Sequence, residues 1–153
     1  MSPVINFDAL SYVDTAPYVV KHPDPKVKIP LGTITVAGPA HPQVLAFEEI
    51  ERRRELEELQ DYQIEAKEAV DAGTPIPRTP EERRTVAEIR VRNASRLAAR
   101  VISADFTISF EGHEVELTRE TAGDILASPK IGWLYEGLFG FVRKRENFMP
   151  TSA

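Results

Sequence analysis

The sequence predicts a mixed α+β fold, and three observations carry that reading. Two β-branched segments flank the prolines of "HPDP" near the N-terminus; a long, charge-rich, helix-favouring stretch fills the middle; short alternating runs return after Ala104, ahead of an aromatic terminal helix. Strands, a block of helix, then strands again is the order expected when helices are segregated from antiparallel strands. A length of 153 residues suits one domain with a real core. Within it three regions are expected: an N-terminal hairpin region (1–41), a long antiparallel helix pair (42–104), and a C-terminal unit of hairpin and short helices (105–153).

The first hairpin is read from Tyr18 to Ala37. Its second segment alternates, with Ile34 and Val36 on one face and Thr33 and Thr35 on the other. Pro30 cannot donate to a ladder, so this segment is expected to be bulged or to lie at a sheet edge.

After "GPAHP" a helix is expected from Pro42 to about Ala72, with proline tolerated in the first turn and Gly73 as the C-terminal stop. Between Glu51 and Glu55 it has no apolar residue for more than a turn, so its middle is read as solvated or bridging. A second helix begins at "TPEE", where Thr79, Pro80 and Glu82 have the spacing of a capping box, and is expected to run to about Ser103. Val86, Ile89, Leu97 and Val101 line one side of it, while Ala87, Ala94 and Ala98 permit a neighbour's close approach. Residues 42–72 hold ten acidic and four basic side chains, and residues 81–104 hold three acidic and six basic. Opposite charge favours pairing of these helices within the chain or between copies. The short connection "GTPIPRT" makes them an antiparallel, protruding hairpin.

A second β-hairpin is expected where Glu111-Gly112 separates the runs Phe106-Ile108-Phe110 and Val115-Leu117. Thr118 then caps a short helix through Leu126, and Ser128-Pro129 starts the last helix at Lys130. On that last helix Ile131, Leu134, Leu138 and Phe141 share one face, the spacing of ordinary core packing. Trp133, Tyr135 and Phe139 project elsewhere, so the helix carries apolar surface around most of its circumference. Part of this is coverable by the N-terminal hairpin; the rest is expected to meet another chain. Trp133, Leu134, Leu138, Phe141 and Phe148 are the residues expected to contact a partner or a second copy.

Composition narrows the function. A net charge of -5 lacks the basic stripe that nucleic-acid binding requires. No run reaches the length of a membrane span, and "MSPVINFDALSYVD" has neither the basic flank nor the apolar stretch of a signal, so neither membrane insertion nor export is expected. The absence of cysteine removes disulfides, thiolate metal sites and thiol nucleophiles. His22, His41 and His113 form no metal-spaced pair, and Ser95, Ser103 and Ser109 have no adjacent base in sequence. "GLFG" at 137–140 presents apolar residues where a phosphate clamp needs donors. "NAS" at 93–95 falls inside an expected helix, and "RKR" at 143–145 places cations at a helix C-terminus. The expectation is therefore a non-enzymatic protein without cofactor or metal.

The segment "LTRETAGDILASPKIGWLYEGLFGFVRKRENFM", Leu117 to Met149, resembles the C-terminal region of tail assembly chaperones of long-tailed bacteriophages. The matching features are the Thr118 cap, Ala127, Ser128-Pro129, Trp133-Leu134 and Asn147-Phe148 in that order. The opening "VVKHPDPKVKIPLGTITVAGPAHPQ" is similar to that family's first two strands and the turn leading into its first helix. Between Val101 and Leu117 the chain departs from the pattern, having "VISADFTISFEGHEVEL" where the family often carries a tryptophan-centred segment. The resemblance implies a helper in the bacterial host cytoplasm during phage assembly. Such a helper coats the tape-measure protein, recruits tail-tube subunits, and is lost from the finished particle. A permanent virion component of the tail or head-tail junction, and a host-directed phage regulator, are the alternatives.

Overall fold

The structure, a computed structural model, describes residues 2–150. Among them the chain is α+β. Strands β1 (Thr15–Val20) and β2 (Gly32–Ala37) pair antiparallel, with Tyr18 opposite Ile34 and Ala16 opposite Val36. A third strand, β3 (Val101–Ala104), pairs antiparallel with the free side of β2, giving the order β1-β2-β3. The β-strand Gly32–Ala37 is thus central and not an edge. Pro30 lies outside it and removes no ladder bond, and the register shift at Thr35/Val36 sits on the β3 side. The alternation holds: Ile34 and Val36 are buried while Thr33 and Thr35 are half-buried on the opposite face.

Helix α1 spans Pro42–Ala72, with His41 Nδ1 accepting from the Gln43 N–H at its start and Gly73 in the left-handed conformation at its end. The second helix differs from expectation. Thr79 accepts from the Glu82 N–H, but Glu82 does not reach back to the Thr79 backbone, and this cap opens only one turn, α2 (Pro80–Arg83); Arg84 then turns extended and a full capping box, Thr85 with Glu88, starts α3 (Val86–Ala98). Beyond α3 the chain forms β3, because Val101 and Ile102 are more favourable completing the sheet than extending a helix end.

Strands β4 (Thr107–Phe110) and β5 (His113–Glu116) form the second hairpin. Glu111 and Gly112 both take positive φ, as a two-residue primed turn requires. Helix α4 (Arg119–Ala127) starts at a reciprocal Thr118–Thr121 cap. A single 3-10 turn (Pro129–Ile131) then precedes α5 (Gly132–Val142), two residues later than expected.

The core joins Val20, Ile34, Val36 and Val101 of the sheet to Leu97, Leu117, Ile125, Leu134, Leu138 and Phe148. Small residues set the spacing of α3 and α4: Ala94, Ala98 and Ala122 are buried, and a Cβ on Gly123 would just meet that of Ala98. The neighbour that approaches α3 closely is therefore α4. Helix α1 meets α3 through charge. Glu51, Glu58 and Glu65 recur every seven residues on one side of α1. Glu51 pairs with Arg96, Glu58 with Arg92 (3.0 Å) and Arg84 (2.6 Å), and Glu65 with Arg83 (3.1 Å), in antiparallel order. Val86 and Ile89 remain exposed, so the apolar side expected for the second helix is buried only where it nears the body, at Leu97 and at Val101, which belongs to β3.

Candidate functional site: an apolar groove beside the last helix

Helix α5 places its two apolar faces against different environments. Leu134 and Leu138 point into the core, and Phe148 joins them there from the 3-10 turn Arg145–Phe148. The Asn147-Phe148 pair closes the fold: the Asn147 side-chain amide donates to the Phe141 carbonyl (2.9 Å), and the Val13 N–H donates to the Phe148 carbonyl (2.7 Å). Phe141 is half-buried between Tyr18 (centroids 5.2 Å) and Phe148 (5.7 Å, edge-on). Trp133 is half-buried against the same core. Of the five residues expected to meet a partner, Leu134, Leu138 and Phe148 are thus enclosed by the protein's own chain, and Phe141 is largely engaged by its neighbours. A three-four spacing already set Leu134 and Leu138 apart as a core face; including them with the partner contacts confused total apolar content with exposed apolar content.

Gly137 matters to this docking. A Cβ there would collide with the Tyr18 hydroxyl, whereas the adjacent ring carbon would remain at ordinary contact distance, 3.5 Å. The glycine lets the tyrosine lie across α5, and burial raises the Tyr18 pKa above its ordinary value.

The outward face carries Tyr135 and Phe139, whose rings stack with centroids 5.8 Å apart and planes 7° from parallel. Phe139 remains 43% exposed. These rings form one wall of a groove of about 690 Å³ whose other walls are the first half of α1 and the end of α3. Phe47, Leu97 and Val142 add apolar surface, Glu48, Glu51 and Glu55 stand along the α1 side, and Arg96, Arg100 and Arg143 face them. Arg96 crosses the groove to Glu51 and Glu55. Arg143 lies over the Phe139 ring, 5.7 Å from its centroid. Burial pulls the Arg100 pKa below its usual value, with Glu48 acting against that shift, and its guanidinium donates to the Ala37 carbonyl (3.3 Å). Burial likewise raises the Tyr135 pKa, and the Arg96 charge opposes it.

This arrangement can hold an apolar segment between aromatic rings and flank it with charges of both signs. Among the described residues no cluster of histidine, aspartate and glutamate has the geometry of a metal site, and no helix is long and apolar enough to cross a membrane. His41 caps α1, and His22 accepts from the Asp24 N–H within its turn. Sequence reasoning identified Tyr135 and Phe139 as projecting away from the core face of α5. It did not identify Phe47, Arg96 or Arg100 as their neighbours, because the groove is assembled from segments some forty residues apart or more. Comparisons with family models, curated proteins and solved structures found no match to this chain.

Proposed function

We propose that this protein is a non-enzymatic assembly chaperone of a bacteriophage tail, which shelters an apolar helical segment of the tape-measure protein and brings tail-tube subunits to it. The observation that carries the binding part is the stacked Tyr135–Phe139 pair, with Tyr135 half-buried and Phe139 exposed at the wall of a groove large enough for side chains of a second chain. The phage-specific part is supported by the ordered motifs shared with tail assembly chaperones, from the Thr118 cap to Asn147-Phe148. Binding an apolar segment would keep a long, sticky partner soluble by mass action until assembly uses it.

The test is co-expression with the tape-measure protein of the same phage, followed by measurement of the soluble fraction of that protein. The wild-type chain is expected to raise it. Phe139→Asp, which charges the groove wall but leaves the core face of α5 intact, is expected to abolish the gain while leaving the circular dichroism spectrum unchanged. Equal solubility with and without the wild-type chain contradicts the proposal. So does its stoichiometric presence in purified particles, which would make it a structural virion component.

A further inference from the structure

Helix α1 has a second apolar line that the fold leaves uncovered. Leu45, Leu56, Leu59 and Val70 fall within about 60° of one another around the helix at about 100° per residue, and they are 47–62% exposed. They lie well away from the Glu51-Glu58-Glu65 stripe that meets α3, so the hairpin presents them outward. Together with Glu49, Arg52, Gln63 and Ala66 they occupy positions spaced alternately four and three residues apart, the spacing of a two-helix seam.

The line is nearly symmetric about the midpoint between Glu57 and Glu58. Turned end for end against its own copy, it sets Leu56 opposite Leu59, Leu45 opposite Val70, Arg52 opposite Gln63 and Glu49 opposite Ala66. Glu49 then also stands one residue from the level of Lys67, which projects from the same side of the helix. A parallel, in-register pair would instead bring Glu49 onto Glu49 and Arg52 onto Arg52, like charges in a partly desolvated seam. Charge therefore selects one orientation. We propose that two copies of this chain associate through the outward faces of α1, antiparallel, in a two-fold symmetric interface centred on Leu56 and Leu59. Each copy's core then lies beside the free end of its partner's hairpin, and the seam borders the groove beside α5 at Arg52, which lines both. This dimer does not depend on the phage assignment.

The chain has no cysteine, so pairs can be introduced cleanly. In the antiparallel dimer residue 45 of one copy approaches residue 70 of the other. The two copies of residue 45 stand about 37 Å apart, from twenty-five residues at about 1.5 Å each, far beyond the roughly 7 Å that a disulfide spans. A mixture of the Leu45→Cys and Val70→Cys chains is expected to form a covalent dimer on mild oxidation, and neither chain alone is expected to do so. In sedimentation equilibrium the wild type is expected to dimerise, and Leu56→Asp with Leu59→Asp to weaken the dimer more than about tenfold without loss of helicity. A wild type that stays monomeric at high micromolar concentration overturns the proposal, as does efficient self-crosslinking of the Leu45→Cys chain.

Discussion

The two halves of this molecule are held together by different forces. In the body, a sheet with Ile34, Val36 and Val101 on its inner face is covered by α3, α4 and α5 through close apolar contact, and the largest enclosed side chain is Phe148. In the hairpin, α1 runs along α3 and the link before it through arginine–glutamate pairs, and among the described residues of α1 only Val44 and Ala69 are buried. Apolar burial stabilises by roughly 25 cal/mol per Å², whereas exposed ion pairs contribute about 1 kcal/mol or less each. The body therefore sets stability. The hairpin is the weaker half, extended and rich in exposed leucine and isoleucine, and suited to meeting other chains.

The largest effect should come from breaking the body. Phe148→Ala removes a fully enclosed ring that packs edge-on against Phe141. It is expected to cost about 3–5 kcal/mol in urea denaturation, more than any single substitution in the hairpin. A cost below that of a hairpin ion pair would reverse the ranking.

Next in size is Gly137→Ala, expected to destabilise by about 1–3 kcal/mol through overpacking, although alanine is the better helix former. In a Tyr18→Phe background the colliding oxygen is gone, and the same substitution should become neutral or mildly stabilising. A double-mutant cycle reads this directly, and a penalty that persists in the phenylalanine background would mean the contact has been misassigned.

The smallest effect belongs to the hairpin. Desolvation pushes the Glu58 pKa up, but hydrogen bonds and charge from Arg92 and Arg84 outweigh it and hold the carboxyl below its ordinary value. The carboxylate's contribution is therefore complete above the unfolded glutamate value of about 4.3 and is lost as pH falls through the lower folded value. Glu58→Gln is expected to cost about 1 kcal/mol near neutral pH, with variant and wild-type stabilities converging in acid. A difference that stayed constant down to low pH would show that the pair acts through shape and not charge.

Much of this division was legible in the sequence, element by element. Pro42, Gly73, Thr118 and the Glu111-Gly112 turn are local signals, readable because caps and turns depend on a few neighbouring residues. The opposite charges of the two helical segments foretold how α1 and α3 meet. Strand β3 was not legible: Val101–Ala104 continues an acceptable helix pattern, and only pairing with β2, more than sixty residues earlier, makes it a strand. The break at Arg84 was hidden because Thr79 and Thr85 both cap a helix start, and the first masked the second. At α5 the spacing separated Leu134 and Leu138 from Tyr135 and Phe139 correctly. Which neighbours would complete a groove around the latter is a property of the tertiary fold alone.

Hydrogen exchange at low and high salt, at a concentration dilute enough to disfavour self-association, tests the division most directly. At about 1 M salt the screening length falls to about 3 Å. Amides of α1 between Glu51 and Glu65 should then exchange markedly faster, while those of β2 and α5 keep their protection. Protection in α1 equal to that of β2 and indifferent to salt would contradict a hairpin held by charge.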